Sequence, residues 1–341
     1  MTYKPFNKKD KIIENKKNKY PVRKYKLTES FDFLTTIILS HFNRSNLLIK
    51  AIDSILKCSF EISKFRILLI DDGSMETDID PIIKQYENLN NFEYVLLQKN
   101  IGNEAVIKNI GVHLAQNSKY ICFMDSDDEI ISKTIFDKSI TALENKKSML
   151  STLSNIIYRI EIPVEQLPPE QHWILKNEKL PSALFENPIY EYRRRNNFYH
   201  TTLLQSMTYA PDGVRVHRRS IWLALGGSLE DAVHGEAAFY LRMHGFKKDA
   251  ILHINDNAYL YRIHNLGQLT NITKKQKKTL LDERIILLSF MVKYNLTLND
   301  VHHLAKAEHN YGFFEKYQFT DKEIAEAKAD FINKKFIQIR Y

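Results

Sequence analysis

The stretch YICFMDSDDE, residues 120–129, decides the architecture. Five apolar residues run without a break into four carboxylates within five positions. A strand with one wet face alternates apolar and polar residues; an unbroken apolar run predicts a strand buried on both faces. Acids leaving such a strand converge on a small volume, and Asp125 and Asp127 alternate as the ligands of one divalent cation would. Mg²⁺ characteristically takes one or two carboxylates plus substrate phosphate oxygens. A calcium loop of the EF-hand type requires Gly at its sixth position, where this chain has Ile130, so that reading is excluded.

Working outward, the same punctuation recurs. FLTTIIL (33–39) ends in Ser40-His41-Phe42-Asn43, and FRILLI (65–70) ends in Asp71-Asp72-Gly73-Ser74. A further strand is predicted over 92–97, with helices over 46–57, 79–87 and 104–116 from their apolar spacing. Alternating strands and helices with continuous apolar strands predict a mostly parallel α/β sheet covered on both faces. Ligands of such sheets bind beyond the carboxyl ends of the strands. The polar clusters at 40–44, 71–74 and 125–128 all fall there. A carboxylate at such an end can accept a base N–H, while Phe42 offers an aromatic face and Arg44 a cation for phosphate.

These segments stand in a known order. TTIILSHFNR (35–44), ILLIDDGS (67–74), NIGNEAVIKNIG (100–111) and YICFMDSDD (120–128) together resemble the motifs of glycosyltransferase family two. These are nucleotide-sugar enzymes of the GT-A fold, a Rossmann-like α/β architecture. Ser40 and Phe42 replace the usual Pro and Tyr of the first motif, and the third is one residue longer than usual. The resemblance covers residues 33–130. It implies that Ser40, Phe42, Arg44, Asp71 and Asp72 hold the nucleoside. Lys108 would face the base or diphosphate, Asp125 the ribose or metal, and Asp127 would ligate the metal directly. LYRIHNLGQLT (260–270) resembles the family's Tyr-Arg-x-His segment, which makes His264 a second ligand, and the cofactor Mn²⁺ or Mg²⁺. HGEAAFYLRMHG (234–245) aligns with a Glu-Asp segment that carries the general base. Counting back from Arg242 selects Glu236, with Asp231 as the alternative at the wrong spacing.

The resemblance further implies an inverting transferase, one base and no enzyme nucleophile, acting between a UDP-sugar and a glycan or lipid-linked acceptor. Two other readings stand beside it. A sugar nucleotidyltransferase would carry a Gly-rich loop after its first strand, and residues 40–50 contain no Gly; an inactive GT-A scaffold is compatible with the missing Glu-Asp pair. The chain is expected to divide into a basic arm (1–30), a nucleotide-sugar half (31–130), an acceptor half (131–270) and a helical C-terminal segment (271–341). The stretch 150–210, broken by Pro163, Pro168, Pro169, Pro181 and Pro188, reads as a mixed region with loops covering the sheet.

Composition bounds the setting. The net charge of +8 over 341 residues invites a nucleic-acid partner, but residues 1–30 hold ten Lys and Arg against three acids. That leaves +7 on the arm and +1 on the other 311 residues, so the body offers nucleic acid no basic face. The arm suits an anionic membrane surface instead. Cys58 and Cys122 match no disulfide or metal framework and are expected as small core residues. With neither a leader-like apolar stretch nor a span of ~20 apolar residues, the expectation is a cytoplasmic protein, peripheral on the inner membrane face at most.

Overall fold

The structure is a computed structural model. It describes residues 20–28, 33–61, 64–167, 172, 174–175, 178–180, 190–194, 213–228, 230, 239–240, 243 and 251–264. The parallel core forms as the apolar runs dictate. Strands β2 (Thr35–His41), β3 (Phe65–Asp71), β4 (Phe92–Leu97) and β5 (Tyr120–Asp125) lie in the order β4-β3-β2-β5, all parallel. Helices α1 (Ser45–Leu56), α2 (Glu76–Tyr86) and α3 (Glu104–Leu114) connect them. Leu48, Ala51, Ile52 and Ile55 of α1 pack on one sheet face with Ile79, Ile82 and Ile83 of α2. Val106, Ile107 and Ile110 of α3 pack on the other. Each face of the sheet therefore has its own apolar cluster, and the strands between them are dry on both sides. Cys58 and Cys122 are buried in the first cluster.

The whole sheet is mixed, a departure from a mostly parallel one. β10 (Val216–Arg218) runs antiparallel between β5 and β7 (Ser151–Ile160). β11 (Ile251–Ile263) runs parallel to β7 for most of its length and carries β6 (Glu129–Ile130) on its other side. A small antiparallel pair, β8 (Glu178–Leu180) and β9 (Tyr190–Arg194), extends from β7. Helices α4 (Ile135–Asn145) and α5 (Arg219–Ala224) complete the described elements.

Strand β7 lies inside the stretch read as a mixed region, at its N-terminal end before the prolines. Its Ser151, Thr152, Ser154 and Asn155 look like loop chemistry, yet all are buried. The sheet tolerates most of them because partners exist: Ser151 Oγ donates to the Thr152 carbonyl, Ser154 Oγ accepts from Val214 N at 2.9 Å, and Asn155 bonds His253, Asn255 and Asn257 of β11, while the buried Thr152 hydroxyl has no partner among the described residues. The arm also differs from expectation. Its residues Val22–Lys26 form β1, an antiparallel edge strand on β4 with Val22 opposite Leu97 and Lys26 opposite Tyr94. Lys26 donates to the carbonyls of Glu87 and Leu89, and Arg23 pairs with Glu76. Part of the arm's charge is thereby spent inside the fold. The C-terminal segment 271–341 lies outside the described residues.

Candidate active site

Because β2 pairs with both β3 and β5, the residues ending these strands share one rim. His41 stands opposite Asp71, and Ser40 opposite Asp125. The β3 loop is rigid. Asp71 accepts from Ser74 N at 3.1 Å and Ser74 Oγ at 2.5 Å, and Ser74 Oγ in turn accepts from Asn43 N. Asp72 accepts three bonds from the loop before α3: Ile101 N (2.7 Å), Gly102 N (3.0 Å) and Asn100 Nδ2 (3.2 Å). Gly73, at φ +77°, lets these two loops touch: a Cβ there would stand 2.5 Å from the carbonyl carbon of Lys99 and 2.6 Å from Asn100 N. Asp71 thus braces its own turn through Ser74, while Asp72 ties that turn to the loop before α3. Burial pushes the Asp71 carboxyl up to about 6, against its Ser74 bonds.

The acids after β5 sort by partner. Asp127 is bonded by Arg44, and His264 Nε2 lies 3.1 Å from the same Oδ2. Burial works against its charge, but the His264 bond and the Arg44 guanidinium hold its carboxyl below the usual range. Asp125 accepts from Ser40 Oγ at 3.1 Å; burial and then the Glu104 carboxylate push it up to about 7, with Lys108 opposing. Asp128 turns away into β11, accepting from the Tyr259 hydroxyl (2.6 Å) and Arg262 N (3.0 Å). Glu129 pairs with Arg262. Each of the four acids has a protein partner, yet repulsion persists: burial, then Asp127 and Asp125, push the Asp128 carboxyl well above its usual range.

Phe42 stands exposed at the rim. Lys108 is buried, paired with Glu104 one turn earlier, with its Nζ over the Phe123 ring. Asn109, its neighbour in the Lys-Asn-x-Gly segment, has a positioning role. It grips Ser228 through both amide atoms and reaches Glu230 Oε1 at 3.3 Å. Gly227, at φ +67°, permits this, because a Cβ there would meet Asn109 Oδ1 at 2.5 Å. The loop leading toward both candidate bases is fastened to α3 in this way; Asp231 and Glu236 themselves lie outside the described residues.

Sequence reasoning missed Tyr259 and His41. Tyr259 precedes the quoted Tyr-Arg-x-His segment by two residues, and the alternation of a strand would have placed its side chain with Tyr261. His41 Nδ1 lies 2.9 Å from Ser126 Oγ. Among the described residues no group of three acid, His or Cys side chains stands ready for a metal. Asp127 and His264 nevertheless suit one: an ionised oxygen and an imidazole nitrogen, already facing a cationic guanidinium, are the mixed donors Mn²⁺ or Mg²⁺ accepts when phosphate oxygens supply the rest.

A parallel α/β core with paired loops at its carboxyl rim and a strand running into Asp-Ser-Asp defines an α/β protein of the GT-A class. Residues 36–207, half the chain, match glycosyl transferase family 2, and the chain belongs to that family. It is 28% identical over 116 residues to the poly(ribitol-phosphate) beta-N-acetylglucosaminyltransferase TarP of Staphylococcus aureus. That alignment spans 34% of this chain and 35% of TarP, about a third of each. The fold is the GT-A fold seen in the crystal structure of S. aureus TarS 1–349 in complex with UDP-GlcNAc, with TM-score 0.58 and 15% identity over 88% of this chain and 80% of that one. The mannosyltransferase PcManGT from Pyrobaculum calidifontis, in complex with GDP-Man and Mn²⁺, shares the fold at TM-score 0.50 and 10% identity, over 91% of this chain and 79% of that one.

Proposed function

We propose that the protein is a metal-dependent, inverting glycosyltransferase. It moves a hexose or N-acetylhexosamine from a uridine diphosphate donor to a hydroxyl of a glycan or of a lipid- or protein-linked acceptor in surface glycoconjugate synthesis. The observation that carries this is Asp127: Arg44, Asp127 and His264 come from three distant parts of the chain and meet at the rim where Asp71 and Phe42 stand. An acid held between a guanidinium and an imidazole at the carboxyl rim of a parallel sheet suits an anionic, metal-bridged ligand and supports this reading. UDP is favoured over other nucleotides by the likeness to TarS crystallised with UDP-GlcNAc.

In this reading Phe42 stacks on the base and Asp71 accepts a base N–H. Arg44, released from Asp127 on ligand arrival, pairs with phosphate. Asp127 and His264 would hold the divalent cation, which when bound neutralises charge on the departing diphosphate. Asp125, kept near neutrality by burial, reaches the ribose hydroxyls. Glu236, or Asp231, takes the proton of the acceptor hydroxyl as it attacks the anomeric carbon opposite the leaving group. With one base and no enzyme nucleophile the configuration inverts. No helix among the described residues is long and apolar enough to cross a membrane, and we assign residues 1–19, with seven Lys, to an anionic cytoplasmic membrane face.

The test is a panel of nucleotide sugars assayed for Mn²⁺-dependent release of nucleoside diphosphate. Release from one uridine donor, lost in Asp127→Ala, and a product of opposite anomeric configuration are expected. No release from any donor, with and without acceptor glycans, would leave an inactive scaffold as the reading. Retention of configuration would refute single displacement.

A further inference from the structure

We infer that His41 is a positioning residue that holds Ser126, so that the carboxylates flanking it, Asp125 and Asp127, are presented together to the donor. The inference rests on the metal-and-donor reading of the preceding section. Three bonds converge where β2 ends. The His41 carbonyl accepts from Asp72 N at 2.8 Å, and the Ser40 carbonyl accepts from Ser126 N at 3.1 Å. The His41 ring meets the Ser126 hydroxyl at 2.9 Å. His41 therefore ties to both rim loops, the β3 loop by its backbone and the β5 loop by its side chain. Ser126 is the middle residue of Asp-Ser-Asp, so fixing its side chain fixes the turn from which both acids project.

The cost of this arrangement argues for its purpose. His41 is 3% exposed and Ser126 1%. The second ring nitrogen, Nε2, is buried and has no hydrogen-bond partner among the described residues. A buried orphan polar atom is destabilising and calls for an explanation. A leucine or valine would fill the space without that penalty but would leave the Ser126 hydroxyl without its ring partner, and Ser126 held by its backbone bond alone. Burial, with the Arg44 charge adding and Asp127 opposing, lowers the imidazole to about 3, so the ring stays neutral. In either neutral tautomer Nδ1 can pair with the hydroxyl, as lone pair or as donor. Supporting groups of this kind orient ligating acids, and their loss typically weakens metal affinity about 10- to 100-fold.

The experiment is calorimetric titration of the full-length protein with UDP, with and without Mn²⁺. It compares wild type, His41→Leu, His41→Asn and Ser126→Ala, with thermal melts as the measure of folding. The expected result is a roughly 10- to 100-fold loss of Mn²⁺–UDP affinity in His41→Leu and Ser126→Ala. Metal-free UDP binding, which draws on Asp125 alone of the pair, should fall by much less, and His41→Asn, whose amide can still bond Ser126, should recover most of the loss. Wild-type Mn²⁺–UDP affinity in both disrupting variants would overturn the inference alone, as would an equal fall in metal-free UDP binding, which marks general damage. Should His41→Leu fail to fold, Ser126→Ala decides, since it removes the same bond from the other side. A wild-type protein that binds UDP equally with and without Mn²⁺ overturns the metal reading, and this inference with it.

Discussion

Replacing Gly73 should damage both the fold and the donor site, by an amount the local geometry sets. Two costs arise. At φ +77° a residue with a Cβ sits in the left-handed region, which costs roughly 1–2 kcal/mol for Ala. The added Cβ also falls 2.5 Å from the Lys99 carbonyl carbon, 2.6 Å from Asn100 N and 2.9 Å from Lys99 Cα. These are main-chain atoms that no rotamer change can move aside, and overpacking of this kind costs about 1–3 kcal/mol. Gly73→Ala should therefore lose about 2–5 kcal/mol in urea unfolding. Relief requires the two loops to part, which breaks the Asp72 bonds to Ile101 and Gly102, so the donor KM should rise as well. Gly73→Asn separates the two costs, because Asn tolerates the left-handed region but still carries a Cβ. It should recover the conformational part and retain a loss of about 1–3 kcal/mol. An Asn variant within about 0.5 kcal/mol of wild type, the range of an ordinary surface substitution, would show that the loops do not approach as described.

Arg66 is buried with Glu93 at 2.7 Å and also bonds Thr36 Oγ1 and the Leu114 carbonyl. Arg66→Met should lose about 3–5 kcal/mol in urea unfolding by stranding the carboxylate, and adding Glu93→Leu should restore much of it; an Arg66→Met loss under about 1 kcal/mol would contradict the burial. For Asp71, the folded state keeps its proton to about 6, whereas the unfolded chain releases it near 4. Between those values the folded state binds more protons, so this group makes stability fall as pH rises. Asp71→Asn should gain on wild type by about 2 kcal/mol between pH 4.5 and 7, and parallel pH profiles would rule this out. Deleting residues 1–19 should abolish binding to anionic liposomes and spare the urea midpoint. Deleting through residue 30 removes β1 and should lower the midpoint too; liposome binding that survives either deletion would place the membrane contact elsewhere.

The first half of the fold was legible because its strands are apolar throughout and stop at abrupt polar turns. Residues 92–97 and 120–125 could hardly form anything else between such turns. The rim was legible for the same reason: Asp71, Asp125 and Asp127 follow directly from strand ends. What could not be read was how neighbouring acids divide their work. Asp71 and Asp72 are chemically identical, and only the approach of residues 100–102 makes the second an anchor. Asp128 could not be told from Asp127 until Tyr259 and Arg262 were placed, more than 130 residues later. β7 and β11 were obscured because Ser, Thr, Asn and His inside a sheet look like loop residues unless the partner strand that satisfies them is known.

Strand β1 has a consequence for how the molecule meets a surface. It runs antiparallel to β4 and begins opposite Leu97, so the chain enters the sheet from the carboxyl rim, where the loops after β2, β3 and β5 stand. The membrane contact we propose for residues 1–19 would therefore join the sheet on the side of that rim and turn it toward the bilayer. Anchoring on that side replaces a search through bulk solution by one across a plane, and raises the effective concentration of a lipid-borne acceptor without any new contact to it. A basic segment joined at the opposite end of the sheet would hold that rim away from every acceptor the membrane carries.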